Sequence, residues 1–257
     1  MRNELLLQDL LTLAPLIMEI TACFDLGNSR LKCAIFKDKE IVEVKWLHDD
    51  SLQSIAGIID AYHPDTTILS SVILHNPALE TYLSSVSRFI LLTAESNLPF
   101  SSPVAKPETI GPDRLAMVAG AIDIFPEQHN LIIGLGSCIT YNFVNKFHQF
   151  LGGGISPGMQ MRFKSMHELT AKLPLVKGDE NFPLVGYNTA TNLLSGVIWG
   201  MRKEIDGMID LYKEKYLNFN VLLTGGDMGY FVPHLKNRIF ANPHLIFNGM
   251  YAISKRN

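Results

Sequence analysis

The chain is 257 residues long, 47% apolar and 18% charged, enough to bury a large core in one big domain or two modest ones. Lys and Arg number 22 against 25 Asp and Glu, a formal charge of -3 with no basic block, so there is no electrostatic footprint for nucleic acid. The three cysteines form no CxxC pair and suit a reducing compartment, and the eight histidines show no zinc-ligand spacing. No apolar run reaches the ~18 residues of a membrane span.

Residues 1–17 are leucine-rich, and Ile20-Thr-Ala-Cys23 looks loosely like a lipoprotein cleavage site. Glu4, Asp9 and Glu19 interrupt the apolar stretch and Arg2 alone supplies positive charge, the wrong pattern for a secretory signal. The segment reads as an N-terminal extension or a mis-assigned start, with Met18 as the alternative first residue.

From Ile20 the pattern predicts a strand, a tight turn at Asp25-Leu-Gly27-Asn28-Ser29, and a second strand from Arg30 to Phe36. Gly27 and Asn28 tolerate the positive φ that hairpin turns often demand. A third strand is expected over Glu40 to Trp46, a helix over Leu52 to Tyr62, a buried strand over Thr67 to Leu74 and a helix over Pro77 to Ser87. The proline-rich stretch 97–107 is a loop. Pro112 then opens a helix to about Ile124, in the first turn, where a missing N–H costs nothing.

A second apolar hairpin spans Leu131 to Val144, and Asp25-Leu-Gly-Asn28 aligns with Gly134-Leu-Gly-Ser137. This faint repeat suggests two similarly built α/β halves with a ligand cleft between them, although any two hairpins share a glycine turn. Leu151 to Gly158 reads as a glycine-dense turn before a helix from Met159 to about Ala171. Asn188-Thr189 precedes a long helix to about Tyr216, and Asn220 to Thr224 is a strand ending at Gly225-Gly226-Asp227.

Glycine turns at 27, 136, 152–154 and 225–226 each follow an apolar strand. Together they fit a nucleotide held across a cleft, since backbone N–H groups converge on phosphate where no Cβ intervenes. No P-loop and no βαβ GxGxxG is present. Asp25, at a strand end, suits a Mg²⁺ ion bridging phosphates, and Lys32 suits neutralising them. Asp113 could accept a hydroxyl proton while Arg114 grips an anionic substrate; equally, an Asp in a first helical turn merely complements the dipole. Cys23 and Cys33 read as small core side chains, and Met159, Met161 and Met166 as packing or dimer contacts. Asp227 either faces a nucleoside or closes its turn.

Asp25-Leu-Gly-Asn-Ser-Arg-Leu-Lys32, Gly111-Pro-Asp-Arg114, Gly136-Ser-Cys-Ile-Thr140, Gly153-Gly-Ile-Ser-Pro-Gly158, Asn188-Thr189 with Ser195-Gly196, and Thr224-Gly-Gly226 occur in an order and spacing that resembles the type III pantothenate kinases over about residues 18–250. The resemblance implies the fold of the acetate and sugar kinase, Hsp70 and actin superfamily. That fold is α/β, with two duplicated ribonuclease-H-like (actin-like ATPase) domains, here 18–126 and 127–257, around a central cleft, the terminal helix returning to the first.

It implies transfer of the ATP γ-phosphoryl group to pantothenate, the first step of coenzyme A biosynthesis, by a cytoplasmic homodimer using Mg²⁺ and a monovalent cation. By position, Asp25, Leu26, Gly27, Asn28, Ser29, Arg30, Leu31 and Lys32 form the first phosphate hairpin. Asp113 is the proton acceptor, Gly111, Pro112, Asp113 and Arg114 contact pantothenate, Ser137 contacts ATP and Thr189 hydrogen-bonds pantothenate.

Two positions depart from the family pattern. Gly134 stands where an Asp usually ligates K⁺ or NH₄⁺, so monovalent-cation dependence is expected to be weak or absent. Val104 stands where an aromatic is usual, with Phe100 as the candidate substitute. The departures leave open a low-activity nucleotide-binding accessory or regulatory protein, while a sugar or acetate kinase fits the hairpins but not the Gly-Pro-Asp-Arg segment.

Overall fold

The computed structural model describes residues 18–257, so both readings of residues 1–17 lie outside it. In chain order the elements are β1 (Ile20–Leu26), β2 (Leu31–Lys37), β3 (Glu40–Leu47), α1 (Leu52–Tyr62), β4 (Thr66–Ser71), α2 (Ala78–Val86), β5 (Arg88–Leu91) and α3 (Pro112–Ile124). There follow β6 (His129–Leu135), β7 (Cys138–Val144), β8 (Phe150–Pro157), α4 (Met159–Glu168), α5 (Thr189–Lys215), β9 (Phe219–Thr224), β10 (Phe240–Ala241) and α6 (Leu245–Ser254).

The strands make two five-stranded sheets, ordered β3-β2-β1-β4-β5 and β10-β9-β6-β7-β8. In each, three consecutive strands form an antiparallel meander, and two later strands add in parallel beside the first. The α/β fold thus uses one sheet plan twice.

Strand β1 is almost continuously apolar because both its faces are covered. Ala22, Phe24 and Leu26 pack towards α1 and α2 with Ile55, Ile59, Leu79 and Leu83. Cys23, on the opposite face, joins a core that also holds Ile68, Ile132, Leu222, most of α3 and the buried side of α6. Helices α3 and α6 therefore lie between the two sheets, while α4 and α5 cover the outer face of the second through Met159, Phe163, Leu194, Ile198 and Ile205.

Helix α3 is buried on nearly every side from Leu115 to Ile122, the signature of a central helix. Its approach to α6 is close because both helices carry a glycine at the crossing. A Cβ on Gly249 would collide with the Ala116 carbonyl, and one on Gly120 with the Leu245 carbonyl. The Phe36 and Tyr251 rings stack at 4.5 Å, and Arg88 donates to the Ser254 carbonyl at 3.2 Å, tying α6 to the first sheet.

Three sequence expectations need correction. Leu151 to Gly158 is not a turn but most of β8, with Gly153 and Gly154 opposite Asn142 and Tyr141. Gly153 has φ 156° and presses on the Tyr141 carbonyl, so its missing side chain serves strand pairing beside a bulge. Neither Gly27 nor Asn28 takes a positive φ. Leu26 pairs with Leu31, and the four-residue loop between them is closed by the Gly27 N–H donating to the Arg30 carbonyl at 3.1 Å, so β2 starts at Leu31. The fourth strand ends at Ser71 rather than Leu74, because the Ser71 hydroxyl bonds to the Ile73 backbone and turns the chain.

Candidate functional site

The two sheets present matching hairpin turns on either side of α3. Asp25 ends β1 on the same face as Cys23, towards α3, and is paired in register with Lys32, itself opposite Trp46. The three residues form a row across β1, β2 and β3. The Asp25 carboxylate has no hydrogen bond or ion pair among the described residues, and burial pushes it up to about 7, Lys32 opposing the rise and Asp113 adding to it.

Lys32 Nζ lies over the Trp46 ring at 4.8 Å, and the Arg30 guanidinium lies over the same ring at 5.1 Å. Burial lowers the Lys32 pKa, against the pull of Asp25. Arg30 also packs against Gly226, where a Cβ would meet its guanidinium, and its charge opposes the burial that raises Asp227. The first hairpin thus touches the Thr224-Gly-Gly226 turn of the second sheet. Ser29 Oγ and Ser137 Oγ are hydrogen-bonded at 2.7 Å, so the two hairpin tips meet directly.

Helix α3 starts at this junction. Gly111 is its N-cap and Pro112 its first residue, with Asp113 in the first turn. An ideal Cβ on Gly111 would sit 2.5 Å from Asp113 Oδ1 and 4.0 Å from Val72, so the absent side chain makes room for the carboxylate. Asp113 Oδ1 accepts from the Arg114 N–H at 2.9 Å. Burial raises the Asp113 pKa, while that hydrogen bond and the Arg114 charge restrain it. Arg114 leaves α3 on the side of the second sheet. Its Nε donates to Asn142 Oδ1 at 2.6 Å, and its guanidinium lies 5.6 Å from the Phe150 ring centre.

Gly134 occupies on β6 the place that Asp25 holds on β1. An ideal Cβ there would be 2.8 Å from Thr140 Oγ1 and 3.0 Å from Met117 Sδ. Met117 is one helical turn beyond Asp113, so one face of α3 sets a carboxylate towards the first sheet's hairpin and a thioether towards the second's. Among the described residues no group of three or more His, Cys, Asp or Glu side chains gathers that could hold a metal ion alone.

Asp25 thus lies near both Lys32 and Asp113, Ser29 meets Ser137, and Arg114 follows Asp113 in the first turn of α3. Thr189 is exposed in the first turn of α5, between the capping-box residues Asn188 and Thr191. Val104 packs near Gly152 of β8. Phe100 is buried, edge-on to Phe150 at 6.0 Å.

Sequence reading missed Trp46, Met117 and Asn142. Asn142 had a signal, as a lone amide in the apolar strand Cys-Ile-Thr-Tyr-Asn-Phe-Val. Trp46 becomes significant only once the register sets it opposite Lys32.

Among the described residues no helix is long and apolar enough to cross a membrane. A solved structure from Campylobacter jejuni, described as a conserved putative Baf family transcriptional activator, superposes with a TM-score of 0.61 at 21% identity, covering 91% of this chain and 97% of that one. A putative N-acetylmannosamine kinase from Listeria monocytogenes superposes with a TM-score of 0.55 at 12% identity, covering 93% of this chain and 100% of that one. Both likenesses concern the fold.

Sequence relatives are nearer. The chain is 36% identical over 229 residues to a type III pantothenate kinase of Flavobacterium johnsoniae, covering 88% of this chain and 93% of the relative. It is 38% identical over 234 residues to one of Bacteroides fragilis, covering 91% and 96%. The family model for type III pantothenate kinase matches residues 22–211. With that match spanning most of the chain, the protein belongs to the type III pantothenate kinase family.

Proposed function

We propose that the grouped residues at the start of α3 carry ATP-dependent phosphorylation of pantothenate to 4'-phosphopantothenate, the reaction that opens coenzyme A biosynthesis. The observation that carries this reading is the junction itself: two hairpins of like plan meet at Ser29 and Ser137, with Asp25, Lys32, Asp113 and Arg114 beside them. In this reading residues 18–126 and 127–257 are two ribonuclease-H-like halves, α6 of the second completing the first, and the site is the cleft between them.

Phosphoryl transfer asks little covalent chemistry of the protein, so positioning and charge neutralisation do most of the work. The hairpin from Asp25 to Lys32 holds the phosphates by its N–H groups, with Lys32 supplying charge and Ser137 a second contact. Asp113, kept partly out of water, accepts the proton of the attacking primary hydroxyl; its raised pKa makes it a better base than a free carboxylate. Arg114 grips the carboxylate end of pantothenate.

The unpaired carboxylate of Asp25 fits a Mg²⁺ ion that takes one protein carboxylate and keeps its waters. When bound, that ion neutralises phosphate charge. The residues around Gly134 do not fit a monovalent cation. They offer a hydroxyl and a soft thioether in place of a carboxylate, and the space for a side chain is filled.

A cytoplasmic homodimer completes the reading. Exposed Ile155, Met161, Leu184, Val185 and Tyr187 come from β8, α4 and the segment before Thr189, and they suit burial against a second copy. The accessory-protein reading draws on Gly134. A coupled assay with pantothenate and ATP-Mg²⁺ on wild type and Asp113→Asn separates the two. Turnover in wild type, reduced about 100-fold or more in the variant with nucleotide binding retained, is the kinase outcome. Nucleotide binding without turnover in wild type is the accessory outcome.

A further inference from the structure

Asn142 lies mid-strand in β7 with no exposed surface. Its Nδ2 donates to the Ile132 carbonyl of β6 at 3.4 Å and to Thr140 Oγ1 at 3.2 Å. Both amide hydrogens are thus committed to the sheet, which settles the way the amide faces and leaves Oδ1 towards α3. There it accepts from Arg114 Nε at 2.6 Å. A buried amide with all these partners costs too much to rotate, so the acceptor is a fixed point.

Arg114 is held by one edge of its guanidinium and lies near the Phe150 ring. Among the described residues its two terminal nitrogens make no hydrogen bond, and no Asp or Glu side chain forms an ion pair with it. A guanidinium anchored at Nε with its terminal pair free is arranged for a planar anion. We infer that Asn142 is a positioning residue for the substrate's carboxylate: by holding Arg114 it sets the preference for an acceptor alcohol that also carries a carboxylate over a neutral one. The inference rests on the reading of Arg114 as the pantothenate grip.

The test compares wild type, Asn142→Leu and Asn142→Asp with two acceptors, pantothenate and pantothenol, which carries an alcohol where pantothenate carries its carboxylate. Asn142→Leu is expected to raise KM for pantothenate about tenfold, with kcat and KM for ATP changed less than about threefold, and to leave KM for pantothenol unaltered. Asn142→Asp, which keeps an oxygen for Nε but loses the two amide hydrogens that fix it, is expected to recover only part of the pantothenate affinity. If Asn142→Leu is insoluble, Asn142→Ser carries the same expectation.

Equal KM shifts for both acceptors, or none in a folded variant, overturn the inference while leaving the kinase reading intact. Wild type that phosphorylates neither acceptor overturns the kinase reading instead, and this inference with it.

Discussion

The carboxylate of Asp113 is folded over Gly111, with Oδ1 where it would lie 2.5 Å from a Cβ on that glycine. Glycine is needed there for space and not for backbone freedom, because Gly111 has φ -57° and ψ 138°, which any residue adopts. The spacing of the Gly-Pro-Asp-Arg segment follows directly: proline starts the helix and the glycine before it clears room for the carboxylate two residues on.

Gly111→Ala is therefore expected to fold normally and to lose activity. The added methyl pushes Asp113 off its position, and a misplacement of that kind costs about 100-fold in kcat. Steady-state kinetics beside a melting curve check this; a variant with wild-type kcat would show that the position of Asp113 is immaterial.

Asp25 makes stability depend on pH in an unusual direction. Its carboxyl, ordinarily near 3.8, is pushed up to about 7 by burial, with Asp113 contributing. Between about pH 4 and pH 7 the folded protein then holds more protons than the unfolded chain. The stabilising contribution of this group is full below about pH 4 and is lost as pH rises through about 7. In ligand-free protein the melting temperature of wild type minus that of Asp25→Asn should fall across that window. A difference that stays level with pH would contradict the burial of this carboxylate.

Gly134 and Met117 lead to a prediction about salts. Activity at constant ionic strength should change less than about twofold when K⁺ or NH₄⁺ replaces a bulky organic cation, since no carboxylate stands at 134. Gly134→Asp should destabilise the protein rather than install a cation site, because the new side chain would press on Thr140 and Met117. Strong K⁺ activation of wild type would refute the first expectation, and a stable, newly K⁺-dependent variant the second.

Two helical glycines should respond oppositely to the same substitution. Gly249→Ala places a methyl against the Ala116 carbonyl and is expected to cost about 1–3 kcal/mol. Gly207→Ala, on the exposed face of α5 with nothing within 4 Å, is expected to gain about 0.5–1 kcal/mol, since alanine is the better helix former. Urea unfolding of the pair measures both; equal effects would mean that the α3 to α6 crossing has slack.

Much of this was legible in the chain because local signals were strong. The near-continuous apolar run of Ile20 to Leu26, Pro112 at the first position of α3, and Asn188 as the cap of α5 each mark an element by its own chemistry. The Leu151 to Gly158 stretch misled because glycines that admit a neighbouring backbone in a strand look the same in sequence as glycines that turn the chain. The site divided along the same line. Asp25, Lys32, Asp113 and Arg114 stand in compact motifs, whereas Trp46 and Asn142 acquire meaning only through cross-strand register and a contact between β7 and α3.

Helix α6 is synthesised after both sheets, yet it sits between them. While a nascent chain is still emerging, α3 lacks the partner that its Gly120 was shaped to receive, and the flank meant for Gly249 and Met250 is bare. Completion of the central layer is therefore a late event in the life of each molecule, and the first half must wait for the tail before it can be protected from proteases and from other unfinished chains.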